Sequence, residues 1–255
     1  MDFVGRSLAL SVNGLANVAA QLSVGVAEIS AIVSVETHGA GFLPDRRPKI
    51  LFERHIFSRL TAGQYDASNP GVSSPTPGGY GDGGAYQYDR LAEAIVLNRS
   101  AALQSASWGI GQVMGENHAA AGFADVETMV TAMSLSEDAQ LAALGGFIAS
   151  NGLAKPLAVH DWASFARGYN GPDYATNRYD IQLNGYYQKY VVGATPDLEI
   201  RAAQVYLVFR GFDPHGIDGI PGPATRSALI AFQNSIGASP TGVLDSATMQ
   251  ALLPP

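Results

Sequence analysis

Apolar residues at helical spacing are the feature that most constrains the fold of this chain. In the first 44 residues, Leu15, Val18 and Leu22 share one face, and after a break at Ser23–Gly25 a second stripe ends at Glu36. Further helical patterns cover residues 89–104, 126–133, 137–150, 160–167 and 174–190. The spacing therefore predicts a mainly helical protein.

Two stretches break this pattern. Residues 45–63 hold a short apolar segment that fits either a strand or a helix. Residues 64–88 carry three prolines and six glycines, which is typical of a long irregular loop. Loops of this length inside a compact domain are usually functional.

The end of the chain has a different organisation. Residues 192–196 (VGATP) form the best candidate linker. After it, a Gly-Ile turn at Gly219 and a helix start at Thr225 recur 23 residues later at Gly242 and Thr248. With a helix at about 197–210, the repeat predicts a small three-helix bundle and two domains, residues 1–193 and 197–255.

Composition excludes several classes of function. The 255 residues carry a net charge of −7, which offers no basic face for nucleic acid or anionic lipid. No apolar run approaches the ~18 residues of a membrane span, and the N-terminus lacks the apolar core of a signal peptide. We expect a monomer, made in a bacterial cytoplasm, without nucleic-acid or membrane partners.

Metal and thiol chemistry have little support in the sequence. The chain has no cysteine, and its histidines, among them His38, His55, His118 and His160, lack the His-Glu-x-x-His spacing of a zinc enzyme. We therefore expect no metal and no cofactor, although a zinc site assembled from distant residues stays open at this point.

Glu36 is the first candidate for chemistry. It projects from the apolar face of its helix, in the last turn, where the negative end of the helix dipole lies. Burial and this dipole both raise the pKa of a carboxyl group, and a carboxyl group that is protonated near neutral pH suits a general acid. The alternative is a glutamate that reaches solvent at a frayed helix end.

Two further segments are unusual in composition. Residues 107–115 (SWGIGQVMG) place glycines around Trp108 and Gln112, which suits close backbone approach to a ligand. Residues 166–172 (ARGYNGP) end a helix with the pair Tyr169 and Asn170. Each segment alone is equally consistent with a simple turn.

Together and in this order, the three segments resemble the goose-type lysozyme and lytic transglycosylase superfamily. Thr37, Gly111 and Gly168 depart from that pattern. A closer resemblance is to the phage N-acetylmuramidase family, through residues 35–42 (VETHGAGF), 47–61 (RPKILFERHIFSRLT) and 107–123 (SWGIGQVMGENHAAAGF). The resemblance implies a lysozyme-like helical catalytic domain that acts on bacterial peptidoglycan.

The same resemblance implies roles for individual residues. Glu36 would be the general acid that protonates the oxygen between N-acetylmuramic acid and N-acetylglucosamine. Tyr169 would steady this acid or the developing positive charge. The first candidate for a second carboxylate, which positions water or stabilises positive charge, is Glu53, unless it only pairs with a neighbouring arginine. Substrate binding is assigned to four residues: His38, Trp108, Gln112 and Asn170.

The C-terminal residues 199–253 resemble the three-helix peptidoglycan-binding family. The residues on which this resemblance rests include the pattern Asp-Gly-x-x-Gly-x-x-Thr, which runs from Asp218 to Thr225. The resemblance implies a phage endolysin whose C-terminal module tethers it to the wall, and whose release depends on a separate pore-forming protein. A lytic transglycosylase, a zinc amidase or peptidase on the stem peptide, and a non-catalytic wall-binding protein remain as alternatives.

Overall fold

The computed structural model describes residues 3–37, 39–193 and 195–254, and the side chains of Thr37 and Asp173 also stand outside the description. The N-terminal part of the chain is mainly helical, as the apolar spacing predicts. Its helices are α1 Val12–Leu22, α2 Val26–Thr37, α3 Arg54–Leu60, α4 Tyr86–Leu97, α5 Arg99–Gln104, α6 Val126–Leu135, α7 Glu137–Ser150, α8 Ala154–Ala158, α9 Trp162–Asn170 and α10 Tyr179–Val192.

The first two helices show how the sequence sets the packing. Ser11 caps α1 by accepting from the Gly14 N–H, and Ser23 ends it in the left-handed conformation. The predicted face of α1 is buried, as are Ile29 and Ile32 of α2. Each fully buried side chain of this size contributes roughly 1.5–3 kcal/mol of transfer free energy. Helix α10 packs along α2 and carries the last part of this core.

A small antiparallel sheet completes the N-terminal part. Its strands are β1 Ile50–Phe52, β2 Ala106–Trp108 and β3 Val113–Met114, in the order β1-β2-β3. The ambiguous stretch 45–63 therefore contains both a strand and a helix. The sheet brings segment 49–52 beside segment 106–114, and so joins two of the motifs that the sequence singled out.

One predicted helix is divided in two. The pattern over 89–104 indicated a single helix, but Asn98 is extended, with φ −158°, and separates α4 from α5. Its side chain accepts from the Ala101 N–H and caps α5. Asparagine favours this role because its short amide competes with the helical backbone bonds.

The C-terminal module, which we define as residues 197–254, contains α11 Leu198–Phe209, α12 Pro223–Ser235 and α13 Ser246–Leu252. The repeat predicted from the sequence has a clear structural basis. Gln204 accepts from the Gly219 N–H and donates to Thr225 Oγ1, and Gln233 does the same with Gly242 and Thr248. Each buried glutamine thus ties a glycine turn to the start of the next helix.

The module is docked against the N-terminal part. Its hydrophobic cluster includes Ala9 and Ala40 from the N-terminal part, both buried. The Ala9 N–H donates to Tyr206 Oη at 3.0 Å, and the rings of Phe42 and Phe209 meet edge to face at 6.3 Å. The two parts therefore share a packed interface.

Within the described residues, no single helix has the length and apolar character needed to cross a membrane. Only α1 and α2 taken together would satisfy that test, and they bend by 111° at the break between them.

Candidate active site

Glu36 lies in the last turn of α2, where the sequence places it, and its carboxyl group is largely covered by protein. Burial raises its pKa from the ordinary 4.5 to about 7, and a hydrogen bond from Tyr179 offsets part of that rise. The Tyr179 hydroxyl donates to Glu36 Oε1. A carboxyl group in this setting is partly protonated at neutral pH.

Part of the Glu36 side chain faces a cavity of about 250 Å³. This Glu36 cavity is bounded by the segment after α2, by β1, by the long loop 64–85 and by the turn between β2 and β3. Its lining residues are Glu36, Leu43, Lys49, Ile50, Gly84 and Gln112. Burial lowers the pKa of Lys49, and Glu137 and Arg201 act on it in opposite directions.

Stacked aromatic rings support the glutamate. Tyr169 lies between Phe165, at 5.5 Å, and Tyr179, at 6.0 Å, with nearly parallel planes. The Tyr169 hydroxyl donates to Gly111 O at 2.5 Å. Burial, together with the nearby Glu36 carboxylate, holds the pKa of both tyrosines well above the usual range, so both keep their protons.

Gln112 lines the Glu36 cavity, but its amide is already engaged. Its Nε2 donates to Gly109 O at 2.8 Å, and its Oε1 accepts from Ser107 Oγ at 2.8 Å. The backbone of Gln112 has φ 45°, an unusual conformation for a residue with a side chain. Its internal bonds fix the shape of the cavity wall.

Three other predicted binding residues lie in different settings. Trp108 is fully buried, and its indole N–H donates to Leu103 O at 3.1 Å. It belongs to the core, so the expected contact of Trp108 with a sugar is wrong for this structure; its size and the inward face of β2 explain its position. Asn170 is exposed at the end of α9, and His38 lies outside the described residues.

Glu53 stands at the start of α3, directly after β1. Its Oε2 lies 3.1 Å from Nδ1 of His55, a contact without hydrogen-bond geometry. Among the described residues, the nearest basic side chain to this carboxylate is therefore a histidine and not the neighbouring arginine. At about 3.3 Å per residue, the strand separates Glu53 from Ile50 by roughly 10 Å. Glu53 is not among the residues that line the Glu36 cavity.

Sequence reasoning missed two buried residues that shape the site from α7. Glu137 Oε1 accepts from the Gly41 N–H at 2.6 Å, and Gln140 Oε1 accepts from the Ile110 N–H at 2.7 Å. Both side chains are fully buried. The available signal was an acid and an amide three residues apart, on one face of an otherwise apolar helix.

Tyr179 was also missed as a site residue. It is one of four tyrosines in α10, with Tyr186, Tyr187 and Tyr190. Tyr179 and Tyr190 are buried, but only Tyr179 directs its hydroxyl at Glu36.

Two other features bear on the chemistry. A larger cavity of about 760 Å³ lies between the N-terminal part and the module, and Glu36 does not line it. Among the described residues, no three His, Asp or Glu side chains gather in a way that would hold a metal ion.

A mainly helical domain with a small sheet, and with a buried glutamate at a helix end over a cavity, defines the lysozyme-like class of proteins. The chain belongs to the N-acetylmuramidase family, whose model matches residues 25–191. A second family, described as a putative peptidoglycan binding domain, matches residues 196–252. Both families predicted from the sequence are thereby confirmed, and the chain is a peptidoglycan-degrading protein.

A solved structure supports this assignment. The crystal structure of the Burkholderia AP3 phage endolysin is 40% identical in sequence, with a TM-score of 0.67 over 72% of this chain and 71% of that chain. No curated protein matches the chain.

Proposed function

We propose that the protein is an endolysin that hydrolyses the β-1,4 bond between N-acetylmuramic acid and N-acetylglucosamine, with Glu36 as general acid. The observation that carries the proposal is the Glu36 carboxyl group, which faces the cavity with a pKa of about 7. A general acid works best when its pKa lies near the working pH. Glu36 is also the one carboxyl group among the described residues that line this cavity.

In this mechanism Glu36 gives its proton to the glycosidic oxygen as the bond from that oxygen to the anomeric carbon of N-acetylmuramic acid breaks. Water adds to that carbon, and the proton that the water releases restores Glu36. The carboxylate that forms accepts the hydrogen bond from Tyr179, which favours the ionised state and therefore assists proton release. Because the pKa of Tyr179 is far above its usual value, the tyrosine remains a donor throughout. Tyr169 supports this donor through ring stacking and acts as a positioning residue.

The remaining assignments are proposals of different kinds. Gln112 and Asn170 are proposed at the edges of the sugar site, Gln112 mainly by shaping its wall. Glu53 is proposed as the second carboxylate, which positions water or stabilises positive charge; it lies beside His55 at the end of β1. The domain boundaries 1–193 and 197–255 are retained, and the C-terminal module is proposed to hold the enzyme on the insoluble wall, after a separate pore-forming protein gives it access.

Analysis of the digestion products tests the reaction. Purified peptidoglycan is digested, and the fragments are identified by mass spectrometry. Hydrolysis leaves a reducing muramic acid end, whereas a 1,6-anhydro end would show that the muramic 6-hydroxyl replaces water and that the protein is a lytic transglycosylase. Cleavage of the stem peptide would contradict both.

The role of Glu36 is tested on the same substrate. We expect Glu36→Gln to lose about 100- to 10,000-fold in rate, since general acid catalysis is typically worth about 10²–10⁴-fold, and to keep its fold and wall binding. Glu93→Gln, on the exposed face of α4, is the matched control and should remain fully active. An active Glu36→Gln variant would remove the basis of the proposal.

A further inference from the structure

Arg201 of the C-terminal module reaches into the N-terminal part and forms an ion pair with Glu137. Its Nη1 donates to Glu137 Oε2 at 2.5 Å, and its Nη2 donates to Glu137 Oε1 at 3.0 Å and to Gly39 O at 2.6 Å. The two side chains of the ion pair are 4% and 0% exposed. A charged pair buried this deeply fixes the geometry of its surroundings, because neither charge can move into water without loss of its partner.

Glu137 also links the ion pair to the backbone of the N-terminal part. Its carboxylate also accepts from the N–H groups of Gly41 and Leu10, at 2.6 and 2.7 Å. A Cβ atom at position 41 would overlap Gln140 Oε1, so the backbone can approach Gln140 this closely only with glycine at position 41. Burial alone would raise the pKa of Glu137, but Arg201 and the backbone donors lower it further than burial raises it, and Glu137 is ionised.

The segment held in this way, residues 39–42, leads from the Glu36 helix to the cavity wall. Gly41 O accepts from the Lys49 N–H at 2.8 Å, and Lys49 lines the Glu36 cavity. Arg201 also acts electrostatically on Lys49. A shift of residues 39–42 would therefore move both the end of α2 and the wall opposite Glu36.

Other residues of the module press on the same segment. Phe209 packs its ring on Phe42, and Ala40 is buried in the hydrophobic cluster of the module. Gly39 has φ 134° and would meet Ile217 if it carried a Cβ atom. The module thus packs against residues 39–42.

We infer that the C-terminal module forms part of the active-site framework, with Arg201 as a positioning residue that holds residues 39–42 and, through them, the Glu36 cavity. The inference rests on the proposed role of Glu36. It assigns to the module a second function beside wall binding, because catalysis on a small soluble substrate would depend on it as well.

The variant Arg201→Lys tests this role. Lysine keeps the positive charge beside Glu137 but lacks the planar fork that reaches Glu137 and Gly39 O together. On soluble glycan fragments we expect kcat to fall about tenfold, since small misplacements of catalytic groups have effects of this size or larger, while KM and the wall-bound fraction stay within twofold. Water that enters beside the loosened segment would lower the pKa of Glu36, so the alkaline limb of the pH profile of kcat should move to lower pH.

Arg210→Lys is the matched control. Arg210 directly follows α11, which carries Arg201, and donates to Ala251 O and Leu253 O, within the module. The kcat and pH profile of this variant should therefore equal those of the wild type. If Arg201→Lys does not fold, Phe209→Leu replaces it: this variant loosens the contact with Phe42 without a change of charge, and we expect a two- to threefold lower kcat.

A wild-type kcat and pH profile in folded Arg201→Lys, or in Phe209→Leu where Arg201→Lys does not fold, would overturn the inference. This outcome is distinct from failure of the proposed function. If the proposed function fails, Glu36→Gln remains active, whatever the activity of Arg201→Lys.

Discussion

At the scale of single residues, the burial of Glu36 favours its role as an acid but lowers the stability of the fold when the carboxyl group ionises. Burial keeps the carboxyl group partly protonated at neutral pH, which suits an acid. The same burial disfavours its ionised form, so the folded protein binds a proton that the unfolded chain releases at lower pH. Groups of this kind lower the free energy of unfolding as the pH rises.

The variant Glu36→Gln should therefore be more stable than the wild type in alkaline solution. The pKa of Glu36 is about 7 in the folded protein and 4.5 ordinarily, and a difference of this size corresponds to about 3 kcal/mol. This destabilisation is absent below pH 4.5, grows between pH 4.5 and 7, and is complete above pH 7. Urea unfolding at pH 4 and pH 8 measures it, and equal stability of the two proteins at pH 8 would contradict the burial of the charge.

The hydrogen bond from Tyr179 predicts a shift in the pH profile. It favours the ionised form of Glu36, so Tyr179→Phe should raise the pKa of Glu36 further. We expect the alkaline limb of the kcat profile to move to higher pH, with a lower maximum. Tyr190→Phe, a change on the same helix whose hydroxyl contacts Ser34 instead, is the control and should leave the limb in place.

At the scale of elements, α7 organises the site through two polar side chains. Glu137 holds the segment that follows Glu36, and Gln140 holds the turn that carries Gln112. Each side chain supplies an acceptor to a buried backbone N–H, which would otherwise have no partner and cost about 1–3 kcal/mol. The rigidity of the cavity thus depends on a helix that does not line it.

Gln140→Leu should accordingly destabilise the protein by about 1–3 kcal/mol, since the Ile110 N–H loses its acceptor. The turn beside Gln112 should also loosen and reduce kcat. Chemical denaturation and rates on soluble glycan measure the two effects. Gln188→Leu, on the exposed side of α10, should change neither.

Sequence reasoning identified the elements whose signal is local. The apolar faces of α1 and α2, and the glycine turns of the C-terminal repeat, follow from spacing alone. The sheet could not be predicted in this way, because strands of two or three residues are too short to show an alternating pattern. The division between α4 and α5 depends on the cap that Asn98 provides, and the spacing of apolar residues gives no sign of such a cap.

The site shows the same limit. Glu36 stands out because its position on an apolar face is unusual for a carboxylate. Its partner Tyr179 lies 143 residues away in a row of tyrosines, and nothing local marks one hydroxyl among them. Trp108 looked like a sugar-binding residue because of its glycine neighbours, but the inward face of β2 buries it.

At the scale of the whole molecule, the docked module alters what deletion of residues 196–255 would do. A flexible tether predicts a loss of activity on whole walls and little loss on soluble fragments. Because Arg201, Phe209 and Tyr206 contact the N-terminal part, deletion also uncovers Glu137 and the segment 39–42.

We therefore expect the truncated protein to lose activity on both substrates and to melt at lower temperature. Calorimetry and parallel assays on walls and soluble glycan measure these changes. An unchanged melting temperature, with a loss confined to whole walls, would show that the interface contributes nothing beyond attachment.

The buried pair of Arg201 and Glu137 also limits how such proteins can be recombined. A chimera that grafts a foreign wall-binding module onto this N-terminal part would leave Glu137 facing whatever residue the new module brings. Grafts that supply an arginine at the equivalent place should retain the activity of the parent. Host range is then not exchangeable by a cut at the linker alone.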